Sequence, residues 1–260
     1  MPLTYSSYLK LDELLSLQVP QSEAPEHDEL LFIVIHQVYE LWFKEILHEL
    51  DHLQQLLADN DAARALHTLK RILTILKIAV AQLDILETMT PLEFLSFRDR
   101  LDTASGFQSF QFRELEFALG YKRRSAVVHY PEDSAARHRL EIRYEQPTVW
   151  DALLHYFARN EYPVPSASLE RDVTRPIEPS PEIQSILIDI YRADPTIAQI
   201  CERLVDLDEG FQEWRYRHVK MVERTIGTRQ GTGGSSGVEY LRTTLFKPLF
   251  PDLWAIRTKL

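Results

Sequence analysis

Glycine places the tightest constraint on this chain. Of 260 residues only eight are glycine, and five of these fall in one short stretch: Gly227, Gly231, Gly233, Gly234 and Gly237. A chain so poor in the residue that tolerates tight turns has few hairpins to offer. Two-residue apolar alternation, the mark of strands, is almost absent. Long stretches instead repeat apolar residues at three- and four-residue steps. The reading is all-α: one large helical domain over 1–260, with residues 1–25 as an N-terminal arm. The glycine cluster at 227–237 reads by composition either as a flexible linker or as a loop that closes over a ligand.

Charge and cysteine narrow the function classes. Lys and Arg total 29 against 39 for Asp and Glu, a formal net charge of −10. That balance excludes a general nucleic-acid binder, which needs a basic footprint. A single cysteine, Cys201, excludes an internal disulfide framework and any cysteine-built zinc or iron–sulfur centre. It suits a reducing cytoplasm. No apolar run reaches membrane-spanning length, and the opening MPLTYSSYLKLDELL has no signal-peptide core. The expectation is a cytoplasmic protein with no membrane partner.

The apolar spacing predicts long helices over 26–58, 61–88 and 195–226. In the first, LLFIVIHQV (30–38) is apolar on all sides, which predicts burial among other helices. Thr90-Pro91-Leu92-Glu93 and Thr148-x-x-Asp151 are helix starts with capping-box spacing. Residues 107–119 read as helical, as does a short segment over 238–246. Lys122, Arg123 and Arg124 read as a solvated basic loop. Five prolines between 163 and 181 read as a surface crossing rather than a domain linker.

Several residues within this frame could carry chemistry. His48-Glu49-Leu50-Asp51-His52 matches the H-E-x-x-H spacing of a zinc hydrolase. At about 100° per residue, however, both histidines fall opposite the apolar stripe. His36 lies inside an apolar run, one turn after Phe32. It is either a hydrogen-bonded core histidine or a polar point that meets a ligand N–H or a metal. His218 lies on the stripe of the last long helix, four residues after Trp214. It is either core packing or an axial ligand to haem iron. The flanking Arg215 and Arg217 would pair with haem carboxylates or point to water. Arg98, between aromatics in FLSFRD, would snorkel or clamp a carboxylate. Ser105-Gly106 opens a helix whose free N–H groups could meet an anion.

Taken in order, HDELLFIVIHQVYELWFKE, SGFQSFQFRELEFALG, FQEWRYRH and QGTGGSSGV resemble the tryptophan 2,3-dioxygenases. The likeness runs from Leu3-Thr4-Tyr5 to Leu253-Trp254-Ala255-Ile256-Arg257-Thr258. The resemblance implies long helices around a haem b pocket and oxidative opening of the indole of L-tryptophan by O2 on ferrous iron. It implies that His218 is the axial iron ligand and that His36 accepts the indole N–H. Phe32 and Phe94 would line the substrate slot, and Arg98 would hold the carboxylate. Thr232 would contact the ammonium and carboxylate, and Ser105 and Gly106 would lie at the haem edge. It further implies a homotetramer in which Tyr5, Tyr8 and Leu9 reach a neighbouring subunit's site. Phe94 stands where some members carry Tyr, which removes one hydroxyl near the carboxylate. Three other readings stand beside this one: a related haem oxygenase acting on another indole or aromatic, a zinc hydrolase, and a non-catalytic haem sensor.

Overall fold

The computed structural model describes residues 2–231 and 237–260, and among these it contains fourteen α-helices and no strand. The arm carries α1 (Tyr5–Leu9) and α2 (Leu11–Leu15), neither of which has a buried residue. Then come α3 (His27–Ala58), α4 (Ala62–Leu86) and α5 (Pro91–Arg98). The middle of the chain forms α6 (Phe110–Ala118), α7 (Arg124–Val128), α8 (Ala135–Glu145), α9 (Val149–Arg159) and α10 (Ser166–Leu169). The remainder forms α11 (Pro181–Ala193), α12 (Pro195–Ile226), α13 (Val238–Arg242) and α14 (Pro251–Ala255).

Three long helices make the frame. α4 packs against both α3 and α12. Its buried stripe is Leu69, Ile72, Leu76, Ala79 and Leu83, at the three- and four-residue spacing of one helix face. It meets Leu50, Leu53 and Leu57 of α3 and Leu204, Leu207 and Phe211 of α12 in one apolar cluster. Gly210 permits the closest approach of α12 to α4, because a Cβ there would stand 2.9 Å from a methyl carbon of Leu76. α6 and α9 pack on α3, and α5 bridges α3 and α12.

The helix starts follow their local chemistry. At α5 the Thr90 hydroxyl accepts from the Glu93 amide, the Glu93 carboxylate accepts from the Thr90 amide, and Pro91 takes the first turn. Thr148 and Asp151 make the same reciprocal pair at α9. Ser109 interrupts the predicted 107–119 helix. Residues Gly106–Gln108 form a 3-10 turn, and the Ser109 side chain caps α6.

Two expectations about burial fail. Leu30 and Val34 are exposed, so the apolar stretch 30–38 of α3 is covered within the chain on part of its circumference only. Of the basic run only Arg124 is exposed. Lys122 is buried and donates to the Tyr144 and Gln146 carbonyls, where burial pushes its ammonium down to about 8. Arg123 pairs with the buried Glu116 at 2.5 Å. A lysine or arginine run is solvated unless carbonyls and carboxylates converge on it, and here the Lys122 acceptors come from the end of α8 and the Arg123 partner from α6.

Candidate active site

One large cavity, of about 230 Å³, opens between α3, α5, α6 and α12. Phe32, His36, Phe94, Arg98, Ser105, Gly106 and His218 all line it. Seven side chains or backbone positions singled out along 187 residues of sequence, from Phe32 to His218, thus converge on one space.

α3 supplies Phe32 and His36 from consecutive turns. The His36 Nδ1 lies 2.7 Å from the Phe32 carbonyl oxygen. A carbonyl only accepts, so Nδ1 carries the proton and Nε2 keeps its lone pair. Burial holds the ring below its ordinary basicity, against the smaller opposing effects of that carbonyl and of Glu40. The imidazole is therefore neutral, with an acceptor nitrogen on a cavity wall. Phe32 packs on it at a ring separation of 4.1 Å, and Phe94 and Phe97 lie 5.7 and 5.6 Å from Phe32. Together they make an aromatic slot.

α12 supplies His218 from the other side. Its ring stacks on Trp214 at 5.0 Å and 6°, and among the described residues it makes no hydrogen bond. Burial, helped by the neighbouring His36 and Arg113, pushes its pKa down to about 4. A neutral imidazole with a free ring nitrogen in an apolar chamber is suited to ligate a metal. That is the site's fit to haem: one unprotonated nitrogen donor, an apolar chamber and a cationic wall. Among the described residues Trp214 Nε1 is itself buried without a hydrogen-bond partner.

Arg98, at the C-terminus of α5, reaches the cavity and donates from Nη2 to the Gln230 carbonyl at 2.7 Å. The clamp candidate is thus joined to the start of the glycine cluster. Gly231 and Gly237 both line the cavity. Gly237 has φ +61°, and a Cβ there would stand 2.8 Å from the Arg229 carbonyl oxygen. Only glycine brings the two ends of the segment this close. Thr232 and the loop behaviour expected of Gly233 and Gly234 lie outside the described residues.

Tyr5, Tyr8 and Leu9, expected at a neighbouring subunit's site, do not line the cavity of their own chain; Tyr5 and Tyr8 are 77% and 70% exposed. Arg215 and Arg217 are both paired with carboxylates, one in the interior and one at the surface. Arg215 is buried against Glu116, and Arg217 pairs with Asp84 and Glu87. In the zinc-like motif, His48 and His52 are exposed, while Glu49 is turned inward and paired with Arg71. Among the described residues no group of three His, Cys, Asp or Glu side chains is placed to hold a metal ion.

Sequence reasoning missed Arg113 and Glu116, which also line the cavity. Their signal was present: in FQFRELEF the charges sit between aromatics on every side of the helix, so they cannot all reach water.

The comparisons agree with this geometry. A family model described as "Tryptophan 2,3-dioxygenase" matches residues 1–141 and 182–260. The chain is 64% identical over 258 residues to a tryptophan 2,3-dioxygenase of Herpetosiphon aurantiacus, covering 99% of this chain and 98% of that one. It is 57% identical to one of Anaeromyxobacter sp. strain K, over 98% of this chain and 95% of that one. It is 47% identical to one of Caulobacter vibrioides, over 99% and 98%. With matches along nearly its whole length, the chain belongs to the tryptophan 2,3-dioxygenase family.

Proposed function

We propose that this protein is a haem-dependent dioxygenase. It adds one atom of O2 to C2 and the other to C3 of the indole of L-tryptophan, cleaves the bond between those carbons, and yields N-formyl-L-kynurenine. The observation that carries this reading is the neutral His36 acceptor and the neutral His218 donor on one aromatic-walled cavity with Arg98 at its edge.

When bound, haem b supplies the ferrous iron that makes O2 reactive toward the indole. His218 would hold the iron through its unprotonated ring nitrogen, and its ring is packed against Trp214. The indole lies in the slot of Phe32 and Phe94, with its N–H on His36 Nε2. Arg98 holds the carboxylate, and Thr232 meets the ammonium. Ser105 and Gly106 border the haem edge. The protein's contribution is orientation and exclusion of water, with little acid–base work.

The chain acts as a single unit and assembles as a homotetramer. The arm bearing Tyr5, Tyr8 and Leu9 completes a neighbouring site. The exposed apolar residues of α1 and α2, with Leu30, Val34 and Leu41, support this reading. The work is done in the cytoplasm; no described helix is long and apolar enough to cross a membrane.

The test is to reconstitute the protein with haem, reduce it, and supply L-tryptophan and O2 carrying heavy oxygen. Formylkynurenine with two labelled atoms is expected. One labelled atom, or turnover of another aromatic and none of tryptophan, would overturn the reading. His218→Ala is expected to lose the Soret band.

A further inference from the structure

The arm is tied to α3 at its base. Residues 16–26 join α2 to α3 without a helix of their own. Two side chains of α3 hold this connector. Glu29, in the first turn, accepts from the Gln21 amide at 2.6 Å through Oε1. Through Oε2 it accepts from the Ser22 amide at 3.2 Å and from the Ser22 hydroxyl at 2.6 Å. Gln37, further along α3, accepts from the Gln18 side chain at 2.5 Å and donates to the Leu17 carbonyl at 3.1 Å.

Glu29 is only 1% exposed, and among the described residues its side-chain hydrogen bonds all go to the connector. Burial would raise its carboxyl. The donors of Gln21 and Ser22, with Arg100 nearby, outweigh burial and hold it below the ordinary value. An ionised carboxylate accepts on both oxygens, whereas an amide in its place would turn an N–H toward one of those donors. What the connector carries has no packing of its own. α1 and α2 bury no residue, and Leu15, Leu17 and Val19 are exposed as well. Such a segment keeps one direction only if its base is fixed. Here the base is fixed to the helix that bears Phe32, one turn beyond Glu29, and His36.

We propose that Glu29 is a positioning residue for the neighbouring subunit's site: by holding Gln21 and Ser22 on the first turn of α3, it sets the direction in which Tyr5, Tyr8 and Leu9 leave their own chain. This rests on the reading above that the arm completes a neighbouring site, and it names the residue that aims the arm. An arm released at residue 22 samples many directions, and only the fraction aimed at the neighbour serves it. Apparent affinity for tryptophan falls by that fraction. A completed site turns over as before, so the loss falls on KM rather than on kcat. The effect crosses the interface: a damaged Glu29 harms the next subunit's site and not its own.

The experiment uses haem-loaded protein and mixed assemblies. Glu29→Gln is expected to raise KM for tryptophan roughly tenfold, the scale of one lost hydrogen bond to a charged group, with kcat and the Soret band little changed. Tagged Glu29→Gln copies are then produced together with an excess of untagged Arg98→Ala copies and captured by the tag. The untagged copies have an intact Glu29 and arm but a site that holds tryptophan poorly. Per tagged subunit, KM is expected to return to the parental value. A KM that stays raised would place the effect of Glu29 inside its own subunit, where Phe32 is one turn away, and would overturn the proposal. So would a parental KM in Glu29→Gln alone. Should Glu29→Gln not fold, Ser22→Ala removes one of the three hydrogen bonds from a residue outside any helix. It is expected to show a smaller rise in KM with the same rescue, and no rise or no rescue would overturn the proposal. Removing residues 2–15 separates the two readings. A truncated protein with parental KM, or a tag that captures no untagged copy, would overturn the arm reading and the proposal with it. A raised KM in the truncated protein beside a parental KM in Glu29→Gln would overturn the proposal alone.

Discussion

The Phe32 carbonyl accepts the Nδ1 proton of His36 at 2.7 Å, and that one bond fixes which nitrogen faces the cavity. The partner lies one helical turn earlier on α3, so the tautomer is set by the backbone that also carries Phe32. An acceptor nitrogen held this way suits a substrate N–H. His36→Ala should therefore keep haem and lose up to about tenfold in kcat/KM for tryptophan, the scale of one hydrogen bond. With 1-methyltryptophan, which has no indole N–H, variant and parent should differ little. An equal loss on both substrates would sink the acceptor role.

Arg98→Ala should raise KM for tryptophan strongly, by the about 2–5 kcal/mol associated with a lost contact to a desolvated charge. Tryptamine has no carboxylate and should be handled alike by variant and parent. If tryptamine suffers as much as tryptophan, the arginine supports the fold of the Gln230 segment instead.

Burial holds His36 below 6.5 and pushes His218 down to about 4. Between those limits the unfolded chain binds protons that the folded chain refuses. Stability of the haem-free protein is thus fully present above pH 6.5 and is lost as pH falls toward 4. Urea midpoints at pH 7.5 and 5.5 should show that decline, and His36→Gln should show less of it. A variant with the same decline as the parent would remove His36 from the account.

Glu116→Gln should be among the most damaging single changes. It leaves the guanidiniums of Arg113, Arg123 and Arg215 converging without their counter-charge, a loss of about 3–5 kcal/mol. Glu141→Gln, which breaks only partly exposed pairs with Arg124 and Arg137, should cost within about 1 kcal/mol. Urea denaturation of the two variants checks the contrast.

Removing residues 2–15 should leave the helical fold of the remaining chain unchanged, because α1 and α2 bury nothing in it. Circular dichroism should be preserved apart from the lost turns. Light scattering should show a smaller assembly, and tryptophan turnover should fall. Full activity in a smaller assembly would mean that Tyr5, Tyr8 and Leu9 serve no neighbouring site.

Much of the fold was legible because it is local. The 3.6-residue stripes of α3, α4 and α12 and the capping pairs Thr90–Glu93 and Thr148–Asp151 are all short-range facts. Several short helices escaped, and α8 and α11 are the longest of them. α8 buries only Leu140 and has almost no apolar stripe. α11 was hidden behind the proline crossing, although Ile183, Ile186, Leu187 and Ile190 carry helical spacing and Ser180-Pro181 is a good start.

The sequence by itself determined the helices, the positions of His36, Arg98 and His218 on them, and the need for glycine where the chain runs past residue 227. It could not decide which charges are satisfied. Arg215 and Arg217 look alike two residues apart, yet one is buried on Glu116 and the other pairs at the surface with Asp84 and Glu87. Helical phase turns them to different faces, and what each meets depends on α6 and α4, some hundred residues away in the chain. Hydrophobic periodicity is written in consecutive residues. Electrostatic pairing in a low-dielectric interior is decided by whatever packing brings within 3 Å.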